Sequence, residues 1–162
     1  MSLVDRAKNI LLKPKDEWNV IAAEPASVGG LFTGYAMILA AIPLITNILF
    51  LGLLGIGAAG FGGAAVGGLS FVAVTAVIGY AVGLGLLWLV VFIVNAIAPS
   101  FNGKQDMVQA TKLMVYAATP TWVAGLVSWI PILGALIGLA AIAYVVYLIY
   151  LGVKPVMAVP DD

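Results

Sequence analysis

Long apolar runs alternate with short polar interruptions along this chain. Residues 31–54 are apolar but for Thr33, Thr46 and Asn47, and residues 70–98 form a second run. Residues 113–128 are short alone, but the half-polar turn before them extends the run to about 107–128. A fourth covers about 132–152. A helix of roughly 20 apolar residues crosses a bilayer's hydrocarbon core, so the pattern predicts four spans. Residues 55–69 hold seven glycines and no charge, and glycine costs about 1 kcal/mol in a helix relative to alanine. That stretch is expected to be an apolar loop. Trp129-Ile-Pro131 is expected to be a tight turn, because proline blocks continuation of one helix and suits the start of the next.

The first 25 residues follow another pattern. Leu3, Val4, Ala7, Ile10 and Leu11 share one helical face, with Asp5, Arg6, Lys8 and Asn9 largely opposite, as in an interfacial helix. Pro14 suits the first turn of a second helix, and Asp16 and Glu17 favour its positive end. Trp18, Ile21 and Ala22 share a face of that helix, and Pro25 ends it. Residues 1–25 therefore read as a cytoplasmic interfacial segment with Trp18 as a headgroup anchor. Residues 26–155 read as the transmembrane domain, and 156–162 as a cytoplasmic tail.

Composition supports this organisation. Of 162 residues, 64% are hydrophobic and 9% charged, whereas soluble domains carry charge at roughly a quarter of positions. So few charges could not cover a water-facing surface. The chain is expected to be an integral membrane protein with the lipid bilayer as its first partner. Arg6, Lys8, Lys13 and Lys15 precede the first span, Lys104 and Lys112 lie between the second and third, and Lys154 follows the fourth. Basic residues mark the cytoplasmic side of short loops. The expected topology is multi-pass in the cell membrane, with the N-terminus and residue 162 cytoplasmic. The N-terminus does not read as a secretory signal. A zero net charge gives no reason to expect a nucleic-acid partner.

Candidate chemistry is sparse. The chain has no cysteine and no histidine, which excludes disulfides, thiolate and imidazole catalysis, and the usual zinc sites. The carboxylate pairs Asp16-Glu17 and Asp161-Asp162 flank membrane segments, where solvated interfacial charge is the plain reading. No enzyme activity, cofactor or metal is expected. The glycine pairs Gly79/Gly83 and Gly134/Gly138 lie within spans and are candidates for helix packing, inside the monomer or between copies. Asn47 and Asn95 should face the bundle, because an amide in hydrocarbon seeks a partner. Pro43 and Pro120 should kink their helices. Tyr144, Tyr147 and Tyr150 read as a packing stripe ending in an interfacial anchor.

The order P-x-x-x-W-x-x-I-x-x-E-P before a first span is formed here by Pro14, Trp18, Ile21, Glu24 and Pro25. It resembles compact prokaryotic members of the Yip1 domain family. The similarity continues through Asn102-Gly103, Gln109-Ala110-Thr111-Lys112-Leu113, Tyr116-Ala117, Thr119-Pro120, Ile130-Pro131, Gly134, Tyr144 and Tyr147 to Gly152. Yip1 domains typically have five spans, where four are read here. Eukaryotic relatives carry a longer N-terminal region associated with Rab GTPases, and that association is not carried over. The resemblance implies an all-α, polytopic transmembrane bundle involved in membrane organisation or in binding other membrane proteins, without catalysis. A scaffold or accessory protein is the leading expectation, with Trp18 and Lys104 as candidate contacts and a homo-oligomer as a further partner. The runner-up is an oligomeric uncoupled channel or small-molecule permease lined by Thr46, Asn47, Thr75 and Asn95.

Overall fold

The computed structural model describes residues 1–53 and 68–159. The expected loop over 55–69 falls outside that description, except for its last two residues, with which a long helix begins. Among the described residues every regular element is helical.

The chain opens with α1 (Leu3–Leu12) and α2 (Pro14–Ala23). Ser2 caps α1 by accepting a hydrogen bond from the Asp5 amide, which satisfies one of the free donors at a helix start. Pro14 begins α2, and Asp16 and Glu17 sit in its first turn, where the helix dipole favours negative charge. The first apolar helix, α3, starts at Val28 and is described through Leu53. It mixes ordinary turns with wider π-helical ones at Phe32–Ala36 and Asn47–Leu53, and it continues through Pro43. The helix α4 (Gly68–Ile97) is the longest, and a short 3-10 turn (Ala98–Phe101) follows it.

The expected third span is not one helix. It divides into α5 (Met107–Ala117) and α6 (Thr119–Ala124), with a final 3-10 turn at Gly125–Val127. The cause is Thr119-Pro120. Proline lacks the amide that would continue the ladder, and the Thr119 hydroxyl donates instead to the Tyr116 carbonyl at 2.7 Å. The last helix, α7 (Pro131–Met157), starts at the expected proline.

Three of these helices, Val28–Phe50, Phe71–Phe101 and Ile132–Met157, are long and apolar enough to cross a membrane. The central helix is none of them. Eight of the eleven residues of α5 are buried, whereas only 6% of the most apolar stretch of α4 is. The bundle is thus arranged around α5, with α2, α3, α4 and α7 packed about it. Two glycines allow the closest approaches. A Cβ at Gly152 would stand 2.7 Å from both Leu113 and Trp18, and one at Gly125 would stand 2.7 Å from the Pro43 ring.

Candidate functional site: a buried ion cluster beneath the N-terminal helices

The chain has fourteen charged residues, and four of them meet in one place. Arg6 on α1 is buried and forms ion pairs with Glu17 of α2 and with Glu24 just beyond it. The Arg6–Glu17 contact is 2.5 Å. The guanidinium also lies over the Tyr116 ring, 5.4 Å from its centre, a favourable cation–π distance. From the opposite side Lys112 of α5, only 3% exposed, donates from Nζ to the Glu24 carbonyl at 2.5 Å and the Ala22 carbonyl at 3.3 Å. Gln109, one turn earlier, donates from Nε2 to the same Ala22 carbonyl.

The physical logic follows from the helix ends. The last carbonyls of α2 have no partner within the helix, and that end carries partial negative charge. Lys112 and Gln109, three residues apart on one face of α5, supply donors to it. Arg6 is thus held by two carboxylates and Lys112 by backbone carbonyls. Arg6 and Glu17 are buried while the Glu24 side chain is partly exposed, and removing one member of the buried pair would leave the other uncompensated. Below the cluster, Tyr35 of α3 and Thr119 share a hydrogen bond of 2.9 Å, and the Tyr35 ring meets Tyr116 edge-on at 4.7 Å. A recess of about 190 Å³ beside Arg6, Glu24, Tyr35 and Tyr116 leaves one side of the cluster open.

Trp18 lies inside this region, not on the surface. It is fully buried and rests against Leu113 and Gly152. The expectation of a headgroup anchor in contact with partners is corrected accordingly. The apolar face of α2 is covered by α5 and α7 of the same chain, which leaves no lipid or partner to cover it. Its ring nitrogen has no hydrogen-bond partner among the described residues. Lys104, the other candidate contact, is exposed. It sits in a loop held to the end of α7 by its own amide, which donates to the Met157 carbonyl at 3.0 Å.

The glycine candidates separate. A Cβ at Gly79, Gly83 or Gly138 would meet nothing within 4 Å, so among the described residues none of these three marks a close helix–helix approach. At Gly134 a Cβ would come within 2.8 Å of the Val127 carbonyl and 3.0 Å of Ser128, so this glycine does permit close packing at the turn into α7. Among the described residues Asn47 bonds within its own helix: its Nδ2 donates to the Pro43 carbonyl, one turn back, at 2.7 Å. Asn95 is half-buried on α4, and its Oδ1 is buried without a partner. Asn47 and Thr75 line a common cleft, Asn95 does not join them there, and Thr46 is buried. Among the described residues the four do not form one polar lining. Of the tyrosine stripe, Tyr144 donates to the Leu11 carbonyl at 2.8 Å, while Tyr147 and Tyr150 are exposed.

Sequence reasoning missed Arg6, Glu17, Glu24 and Lys112 as a unit. A signal was present in the order of the motifs. Trp18 and Ile21, with Glu24 just past the end of their helix, and Gln109, Lys112, Leu113 and Tyr116 belong to the two segments that meet here.

The family model described as the Yip1 domain matches residues 8–162, which takes in the ion cluster apart from Arg6. Searches of curated proteins and of solved structures returned no match.

Proposed function

Because the chain belongs to the Yip1 domain family and is an integral membrane protein, we propose that it serves in the cell membrane as a non-catalytic accessory or scaffold protein. It binds other membrane proteins through the outer side of its N-terminal helices. One observation carries this reading. The ion cluster and Trp18 fix α1 and α2 to the bundle by one face, which turns a mixed apolar and charged face outward. Val4, Leu12 and Val20 are exposed there, interleaved with Lys8, Lys13, Lys15 and Asp16, which are also exposed. A rigid platform of this kind suits recognition, because little ordering entropy is lost on binding. Lys104 supplies a second exposed contact on the loop after α4. The concentration of basic residues in these segments favours a cytoplasmic placement for both.

The test is extraction of the full chain from its native membrane into lipid nanodiscs, with identification of proteins present at stoichiometric level. The reading expects a reproducible membrane-protein partner that is lost in Leu12→Glu and Val20→Glu and weakened in Lys104→Glu, with the melting temperature of each variant preserved. Retention of the partner in all three variants, or recovery of the chain with lipid alone, contradicts it.

A further inference from the structure

The turn between α1 and α2 reaches deep along the membrane-spanning helix α7. Tyr144 donates to the Leu11 carbonyl, and it stands 13 residues from the Met157 end of the apolar stretch Ile132–Met157. At the helical rise of roughly 1.5 Å per residue, that is about 20 Å. The stretch has 26 residues, so it is about 39 Å long, about 9 Å more than a hydrocarbon core of roughly 30 Å. Even with all of that excess outside the bilayer on the Met157 side, Tyr144 stands about 11 Å inside the core. A tyrosine side chain is too short to cover that distance, so the Leu11 carbonyl lies below the boundary between headgroups and acyl chains.

Packing along α7 gives the hairpin its direction. From Ile132 to Tyr147 Ala141 alone is buried among the described residues, whereas Leu148, Gly152, Val156 and Met157 are all buried beyond it. Trp18 rests against Gly152, eight residues nearer to the Met157 end than Tyr144, so α2 climbs away from the turn toward that end. The hairpin therefore points into the bilayer, turn first. Leu12, Lys13 and Lys15 are exposed at this turn, and among the described residues neither lysine forms an ion pair. Asp16 is the exposed carboxylate beside them, so two cations stand against one anion. An unpaired ammonium is costly among acyl chains. Its flexible stem carries it up to the headgroup layer, where phosphate oxygens accept its hydrogen bonds. Tyr147, whose ring lies 5.6 Å from that of Tyr144, is exposed nearby, as aromatic side chains are at membrane interfaces.

We infer that the α1–α2 turn is a phospholipid contact, with Leu12 among the acyl chains just below the headgroups and Lys13 and Lys15 bound to lipid phosphates of the adjacent leaflet. The contact replaces the one expected of this segment from sequence: Trp18 is buried in the protein, and the residues that meet lipid are those of the turn. It rests on the chain's being a membrane protein and not on the accessory-protein reading.

The test uses the full chain in nanodiscs of phosphatidylcholine and phosphatidylglycerol, with no partner protein present, so its outcome is read separately from the search for one. The chain lacks cysteine, and Leu12→Cys and Val20→Cys, both at exposed positions, each carry one bimane label. A nitroxide near the top of the lipid acyl chain should quench the label at 12 several-fold more than the label at 20, and iodide in the water should quench them in the reverse order. In native mass spectrometry Lys13→Gln combined with Lys15→Gln should retain several-fold less phosphatidylglycerol than the unaltered chain. Lys8→Gln, exposed more than a turn higher on α1, should retain as much as the unaltered chain. Iodide quenching at 12 equal to that at 20 puts the turn in water and overturns the proposal. Lipid retention unchanged by the loss of both lysines overturns it as well.

Discussion

The central helix α5 and the outer helix α4 invert the usual relation between polarity and position. The sheltered helix carries Gln109, Thr111 and Lys112, and eight of its eleven residues are buried. The outer helix is almost wholly apolar and scarcely covered. In water this arrangement would fail, because burying a charge is costly and exposing leucines is unfavourable. In lipid the outer surface needs no polarity, and charge is tolerated only where other groups of the protein enclose it. The contrast teaches that a charged residue in an apolar run of this chain marks the inside, and that apolar length marks the periphery.

Substitutions ranked by effect can break or sharpen that contrast. The largest effect is expected for Arg6→Ala, which strands Glu17 as a buried carboxylate. Removing one partner of a buried pair costs about 3–5 kcal/mol, and unfolding in mild detergent titrated with SDS measures the loss. Gly152→Val comes next, since even a Cβ there would stand 2.7 Å from Leu113 and Trp18. Overpacking of this kind costs roughly 1–3 kcal/mol, seen as a lower melting temperature of the reconstituted protein. Tyr35→Phe removes the hydrogen bond to Thr119. That loss should be about 1 kcal/mol, and Thr119→Val in the Tyr35→Phe background should add less than it does alone. The smallest effect belongs to Leu86→Ala on the outer side of α4, exposed to its surroundings. A change within about 0.5 kcal/mol is expected by the same SDS titration. A loss at Leu86 as large as that at Arg6 would end the distinction between the two regions.

Much of the fold was legible in the sequence. Apolar run length identified α3, α4 and α7, and the punctuation Pro14, Pro25 and Pro131 located helix boundaries that the structure keeps. The broken third run was foreshadowed by Pro120, although a kink was expected where the structure makes two helices. The candidate site was far less legible. Periodicity shows that Trp18, Ile21 and Ala22 share a face, but it does not show whether lipid or the chain's own helices cover that face. The partners of Arg6 lie 11 and 18 residues away, and Lys112 reaches back 88 and 90 residues to α2. Such pairings are set by the packing of the bundle, which no local pattern encodes. The glycines fail for a related reason: spacing places Gly79 and Gly83 on one face but does not say that the face borders an open cleft.

The central claim is that α1 and α2 are bound into the core by one face. Adjacent residues of α2 test it, because Ile21 is fully buried and Val20 is 48% exposed. The chain lacks cysteine, so Val20→Cys and Ile21→Cys can each be labelled alone with a water-soluble maleimide in intact nanodiscs. The structure predicts rapid labelling at 20 and labelling slower by about tenfold or more at 21, as protection by a packed core requires. Equal rates at the two positions would contradict it, and would place α2 loose at the membrane surface.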